Sequence, residues 1–398
     1  MIVPRQTRER LIVLTAGGTG GHVFPAEALA QALLNEGYRL ALVTDQRGTH
    51  YSGTLGMVET HAVSGQGIAG RGLMGLAKGA IALGLGILQA RKILARLKPA
   101  VVVGFGGYAS APAMFAAVQL GIPTVIHEQN AVLGRANRML AAKVDRVCTS
   151  FELARPAPKM TKVERTGMPV RPAIAALRGA LYVPPTNGTF RILVLGGSQG
   201  ARVFSDVLPD AVRLLPEALR NRLEITQQCR PEDLDRTHAA YVGTGAHAQL
   251  RVFFDNVPDL LASTHLLIAR SGASTIGEVT LIGRPSLLVP YPYATDDHQS
   301  ANAAALEAQG GAWIMKQNSF TPQNLAARIS ALAAAPQSLA DAAAAAARFA
   351  MPDAAQRLAQ VVNTVMRGEN GTRPHAVSSG TPAPARTNMN MPMKRGVI

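Results

Sequence analysis

Only two cysteines, Cys148 and Cys229, occur in the 398 residues. They are too few for a disulfide framework or a cysteine-built zinc site, and they point to a reducing compartment. Aromatic residues make up just 5%, with a single tryptophan, Trp313. A surface that stacks bases interleaves aromatics with cations, so nucleic acid is excluded as a partner. No uninterrupted apolar run reaches the roughly 20 residues needed to cross a hydrocarbon core. Residues 100–126 carry no charge, but Gly104, Gly106, Gly107, Pro112 and Pro123 divide them into strand, loop, helix and strand. The first ten residues contain no apolar core of a secretory signal.

Acidic side chains are also scarce, 25 against 40 Lys+Arg, for a formal charge of +15. The imbalance is local. Residues 1–171 carry 20 Lys+Arg and 9 Asp+Glu, residues 172–372 carry 16 of each, and residues 373–398 carry four cations and no acid. Within the basic half, Arg71, Lys78, Arg91, Lys92, Arg96 and Lys98 bracket the uncharged run GAIALGLGILQA at 79–90. Twelve residues are too short to span a bilayer. An apolar segment with cationic flanks fits either a helix packed on a sheet or an element lying on an anionic leaflet.

With 47% apolar residues the chain is globular, and its length implies two or three domains. Short apolar runs alternate with helical spacing. Strands are expected at 11–14, 40–43, 101–103, 124–126 and 146–148, then again at 191–195, 223–225, 251–254, 266–268 and 286–289. A helix is expected over 25–36, and Ala-rich helices over 325–365. This alternation predicts an α/β protein with parallel sheets covered on both faces. Each half opens on a strand followed by a Gly-Gly loop, which implies two Rossmann-like domains facing each other, joined by the proline-rich stretch 171–188. After Arg367 the sequence loses apolar periodicity and reads as a disordered basic tail.

Four strand-ending clusters carry chemistry. The first is GGTGGH at 17–22, whose glycines admit close backbone approach at a helix start that favours an anion. Asp45, ending the second strand, stands where a ribose-binding acid of a nicotinamide enzyme would be. Counted from Gly18, however, the third fingerprint glycine is replaced by Val23. His22 is a candidate general base, a substrate contact or a helix cap. The second cluster, GGSQGA at 196–201, repeats the physics of the first. The third is RSGASTIGE at 270–278, whose amides suit a phosphate and whose Glu278 suits two ribose hydroxyls. The fourth contains Asp296 and Asp297, adjacent carboxylates that read as helix caps or a metal pair. Tyr108 and the tetrapeptide His127–Asn130 follow strands of the basic half, so Glu128 is a second candidate base on the same cleft edge.

Together these motifs closely resemble the MurG family, over residues 10–365. They are GGTGGHVFPA at 17–26, GFGGY at 104–108, HEQNA at 127–131, GMPVR at 167–171, GGSQGAR at 196–202, RSGASTIGE at 270–278 and DHQSANA at 297–303. The resemblance implies a GT-B fold and an inverting transfer of N-acetylglucosamine (GlcNAc) from UDP-GlcNAc. The acceptor would be the C4 hydroxyl of the muramoyl sugar in undecaprenyl-pyrophosphoryl-muramoyl-pentapeptide (lipid I), giving lipid II and UDP without metal or cofactor.

By the same resemblance, residues 1–170 form the acceptor and membrane domain. Residues 171–366 form the UDP-GlcNAc domain, with the last helix packing back on the first, and 367–398 form the tail. The diphosphate would lie against Ser198 and the amides of Ala273, Ser274, Thr275, Ile276 and Gly277. Glu278 would bind the ribose, the Phe254 backbone the uracil, and Gln299 the sugar. Thr19, Gly20, Gly21, Asn130 and Arg171 match further donor contacts. His22 and Glu128 are the candidate bases, with Tyr108 and Asn130 on the acceptor side. The resemblance also implies a peripheral enzyme on the cytoplasmic face of the bacterial inner membrane, bound to anionic lipid and working beside other cell-wall synthesis proteins. The alternatives are a nucleotide-sugar epimerase of the same fold, and a nicotinamide-dependent oxidoreductase.

Overall fold

The computed structural model describes residues 10–17, 20–45, 51, 53–64, 73–158, 162–197 and 200–368, with side chains from residue 79 onward in the helix Leu73–Leu97. Thr19, Ser198, Arg71 and the tail beyond 368 lie outside the described residues, as does the side chain of Lys78.

Two sheets form, and every pairing in both is parallel. The first contains β1 (Leu11–Thr15), β2 (Arg39–Thr44), β3 (Glu59–Ala62), β4 (Val101–Gly104), β5 (Thr124–Glu128), β6 (Arg146–Thr149) and β7 (Val163–Arg165), in spatial order 3-2-1-4-5-6-7. The second contains β8 (Phe190–Leu195), β9 (Leu223–Gln228), β10 (His247–Arg251), β11 (Leu266–Ala269), β12 (Ser286–Leu288) and β13 (Ala312–Ile314), in order 10-9-8-11-12-13. The central strands β4, β5 and β11 are buried along their whole length. Helices cover both faces, which is why these strands read as unbroken apolar runs rather than as alternation.

Strand order reverses between β1 and β4 in the first sheet and between β8 and β11 in the second. Loops leaving the carboxyl ends of strands at such a reversal diverge and open a crevice for ligands. Those loops contain Gly17, Gly106, Gly196, Gly197, Gly200 and Gly272.

The chain crosses between the sheets twice. The first crossing follows β7 and the second follows the helix Pro336–Phe349, at 350–353. The final helix, Ala354–Met366, then buries Leu358, Val362 and Val365 in the core built by Ile12, Leu14, Leu29 and Val103. Each such side chain contributes about 1.5–3 kcal/mol, enough to hold the C-terminal helix on the first sheet. The crossings touch. Gly167 adopts a left-handed φ of +88°, and a Cβ there would lie 2.6 Å from the Cβ of Met351, so the contact admits only glycine.

Several expected elements shift. The second-half strand expected at 251–254 is instead His247–Arg251. Only Ala248 and Leu250 turn partly inward in it, while Val252 and Phe253 lie beyond it, exposed. The strands β3 and β7 gave no apolar signal because they lie at sheet edges and bury little, while β13, also at an edge, is apolar but only three residues long. The helix expected from residue 25 begins at Gly20, so Gly20, Gly21 and His22 form its first turn.

Candidate active site

On the N-terminal side, the helices Gly20–Asn35 and Gly107–Gln119 both start at the crevice with no acidic residue in the first turn. The second has no side-chain cap, so its leading amides suit a ligand. His22, Tyr108, Glu128, Asn130 and Leu133 line a cavity of about 210 Å³, closed from the other side by Thr295, Asp296 and His298. Gly107, at φ +76°, backs the imidazole of His22: a Cβ there would lie 3.3 Å from Cδ2 and 3.4 Å from Nε2. Gly107→Ala is expected to cost ~1–2 kcal/mol of stability through its left-handed backbone. By pushing on the ring it should also lower kcat about tenfold or more. A melting curve and steady-state kinetics check both, and an unchanged kcat would show that the ring has room to spare.

His22 Nδ1 lies 3.0 Å from Oε1 of Gln129. Glu128 is differently placed from the free base that its position suggested. Its Oε1 accepts the backbone N–H and side-chain Nδ2 of Asn130 at 3.0 and 3.1 Å; its Oε2 accepts the N–H of Gly134 and Nδ2 of Asn137, both at 2.8 Å. Four donors to one buried carboxylate occupy its lone pairs, so Glu128 is built to hold the 130–137 loop.

His127, on the opposite face of β5, is fully buried and lies 3.0 Å from the carbonyl of Gly167 through Nε2. Burial pushes its imidazole down to about 4. Since the unfolded chain binds this proton near pH 6.5 and the native state does not, stability held above pH 6.5 is lost as the pH falls toward 4. The expected loss at pH 5 is ~2 kcal/mol. It should appear as a lower urea midpoint than at pH 7.5 and should shrink in His127→Gln, leaving the share of His265, whose imidazole burial also pushes down to about 4. An equal fall in that variant would place the acid lability elsewhere.

The C-terminal side supplies the helix Ala273–Ile282, which begins at Gly272 without a side-chain cap. Ser274 Oγ in its first turn is buried and has no hydrogen-bond partner among the described residues. Glu278, one turn on, pairs through Oε1 with Arg171 Nε at 2.9 Å, and the Arg171 guanidinium also stands 5.0 Å over the Phe24 ring. Burial raises the Glu278 carboxyl above the usual range, and Arg171 opposes that rise. Gln299 accepts the backbone N–H of Tyr291 on Oε1 at 2.9 Å, leaving its NH₂ group as the side-chain donor for a ligand. Phe254 is buried, beneath Arg251.

Sequence reasoning missed the residue that joins the two sides. Asn302, fully buried in the helix His298–Glu307, accepts the N–H of Ala131 at 2.7 Å and donates to Asn130 Oδ1 at 3.0 Å and the Ser271 carbonyl at 3.2 Å. Its place in DHQSANA was visible; its partners Asn130 and Ala131, about 170 residues away, were not. Arg138 spans the same cleft to Asp296 at 2.6 Å. That Asp296 carboxylate is thus taken by a cation, contrary to the metal-pair reading. Asp45 is buried at the end of β2, behind Gly17.

Two Rossmann-like sheets whose strand ends meet at a polar cleft are the GT-B architecture, and the sequence families place the chain among the glycosyltransferases that use it. The family models agree: residues 12–149 match the glycosyltransferase family 28 N-terminal domain and residues 191–358 its C-terminal domain. The chain belongs to the MurG family. It is 57% identical, over 92% of its length and 99% of the relative's, to the UDP-N-acetylglucosamine--N-acetylmuramyl-(pentapeptide) pyrophosphoryl-undecaprenol N-acetylglucosamine transferase of Paramagnetospirillum magneticum. The crystal structure of Acinetobacter baumannii MurG matches at 29% identity with a TM-score of 0.74, covering 89% of this chain and 99% of that one. A UDP-N-acetylglucosamine 2-epimerase structure from Listeria monocytogenes, described as putative, shares the fold with a TM-score of 0.65 at 16% identity, covering 92% of this chain and 98% of that one.

Proposed function

We propose that this chain transfers GlcNAc from UDP-GlcNAc to the C4 hydroxyl of the muramoyl sugar in lipid I, producing lipid II and UDP, with inversion at the sugar C1. The observation that carries the reading is the pairing across one cleft of an uncapped helix start, holding the buried Ser274 hydroxyl, with the cavity beside His22. Residues 171–366 hold the donor. The amides of residues 273–277 take the diphosphate, Glu278 the ribose, the Phe254 backbone the uracil and the Gln299 amide the sugar. Thr19, Gly20, Gly21, Asn130, Arg171 and Ser198 complete the donor contacts. Residues 1–170 hold the acceptor against Tyr108 and Asn130. The acceptor oxygen attacks C1 as its proton passes to His22 Nε2, and the bond from C1 to the diphosphate breaks. Helix amides and Arg171 stabilise the charge that gathers on the leaving UDP.

The basic N-terminal half supports a peripheral position on the cytoplasmic face of the inner membrane. In the helix Leu73–Leu97, Ile81, Leu85 and Leu88 are exposed at spacings of four and three residues, so they share one face, and the exposed Arg91, Lys92 and Arg96 follow. Among the described residues no helix is long and apolar enough to cross a membrane. The substrate is lipid-linked, so cell-wall synthesis proteins that supply or consume it are natural neighbours.

The test is transfer of labelled GlcNAc from UDP-GlcNAc to a lipid-linked muramoyl-pentapeptide in detergent or vesicles. Labelled lipid product is expected. Epimerised UDP-sugar without acceptor, or no product from folded protein, would overturn the reading.

A further inference from the structure

Gln129 sits between the base candidate and the buried His127, and its amide has only one workable orientation. Its Nε2 lies 3.0 Å from the carbonyl of Phe105 and 3.1 Å from the carbonyl of His127. Both are obligate acceptors, so the NH₂ group must face them and Oε1 must face His22. The His127 ring agrees. Its Nε2 faces the Gly167 carbonyl at 3.0 Å and must carry the proton, which leaves Nδ1 as an acceptor for Gln129 Nε2 at 3.3 Å. The chain of donors then runs one way, ending with His22 Nδ1–H donating to Gln129 Oε1 at 3.0 Å.

We infer that Gln129 is a positioning residue, fixing His22 in the Nδ1–H tautomer so that the Nε2 lone pair is presented to the acceptor hydroxyl. The inference rests on the reading of His22 as base, and it assigns a task to a residue that the sequence offered only as the middle of HEQNA. Within that motif the roles divide by strand alternation. Glu128 faces the 130–137 loop, while His127 and Gln129, two residues apart, share the network behind His22. Burial, which holds His127 down at about 4, keeps that ring neutral at physiological pH and the direction of the chain unreversed.

The experiment uses the full chain with ¹⁵N-labelled histidine and no substrate. The His22 ring signals are those lost in His22→Ala. In the wild type, long-range proton–nitrogen correlations are expected to show Nδ1 protonated and Nε2 bare. Gln129→Met keeps the bulk but removes the acceptor, so the Nε2–H form should appear and kcat should fall about tenfold or more while the donor KM holds. A wild-type Nε2–H ring, or a Gln129→Met ring unchanged in tautomer, would overturn the proposal. A changed tautomer with unchanged kcat would uphold the hold on the ring and overturn the assignment of His22 as base. Because the tautomer is read without turnover, the two failures are distinguishable.

Discussion

His22→Ala is expected to lower kcat by ~10²–10⁴ while the donor KM stays within about twofold, the signature of losing a group that acts only as the proton moves. The imidazole is tied to Gln129 on one nitrogen and borders the cavity with the rest of its ring. Glu128→Gln makes the informative contrast. It exchanges a carboxylate that accepts four hydrogen bonds for an amide that can accept only on its oxygen, so the 130–137 loop should loosen. Its cost should therefore fall on stability and acceptor KM as well as on kcat. Steady-state kinetics on both substrates with matched melting curves separate the two. A His22→Ala enzyme that keeps its turnover would remove this residue from the proton transfer.

The order of strands and helices was legible because parallel strands covered on both faces must be apolar throughout, as VVV at 101–103 and LLIA at 266–269 are. Edge strands escape that requirement, which is why the exposed VER of β7 carried no signal. The site was legible where a ligand needs glycine and small residues after a strand, as at 17–22 and 270–278. It was not legible where function depends on which long-range partner a polar side chain meets. Nothing local separates Glu128 from Gln129 in HEQNA. One is consumed by the turn that follows it, and the other is oriented by carbonyls of Phe105 and His127 and reaches His22 from more than a hundred residues away. Asn302 shows the same limit: its neighbours in sequence are a helix, while its partners Asn130 and Ala131 follow a strand of the other sheet.

The asymmetry of charge acquires a physical place in the same way. Three of the cations that raise the first half to a net positive balance, Arg91, Lys92 and Arg96, follow the exposed apolar face of the helix Leu73–Leu97. The half proposed to hold the donor is neutral overall, and in that proposal helix amides, a hydroxyl and Arg171 meet the diphosphate. An extended cationic field on that half would retain the UDP product, whereas on the first half it would draw the enzyme to an anionic surface carrying the proposed lipid-linked acceptor.

Glu278→Ala is expected to raise the donor KM about 10- to 100-fold, the equivalent of ~1.4–2.8 kcal/mol, with a smaller effect on kcat. Two interactions are lost together. The ribose loses its acceptor, and the buried side of Arg171 loses the carboxylate that sets its direction toward the cleft. Glu278→Gln separates them, since the amide can still accept from a hydroxyl but no longer neutralises the guanidinium. A donor lacking the ribose 2′-hydroxyl provides the decisive comparison. If Glu278 reads the ribose, the wild type should discriminate against the deoxy donor while Glu278→Ala should treat the two donors nearly alike, because the group that told them apart has gone. Equal discrimination in wild type and variant would assign Glu278 to holding Arg171 alone.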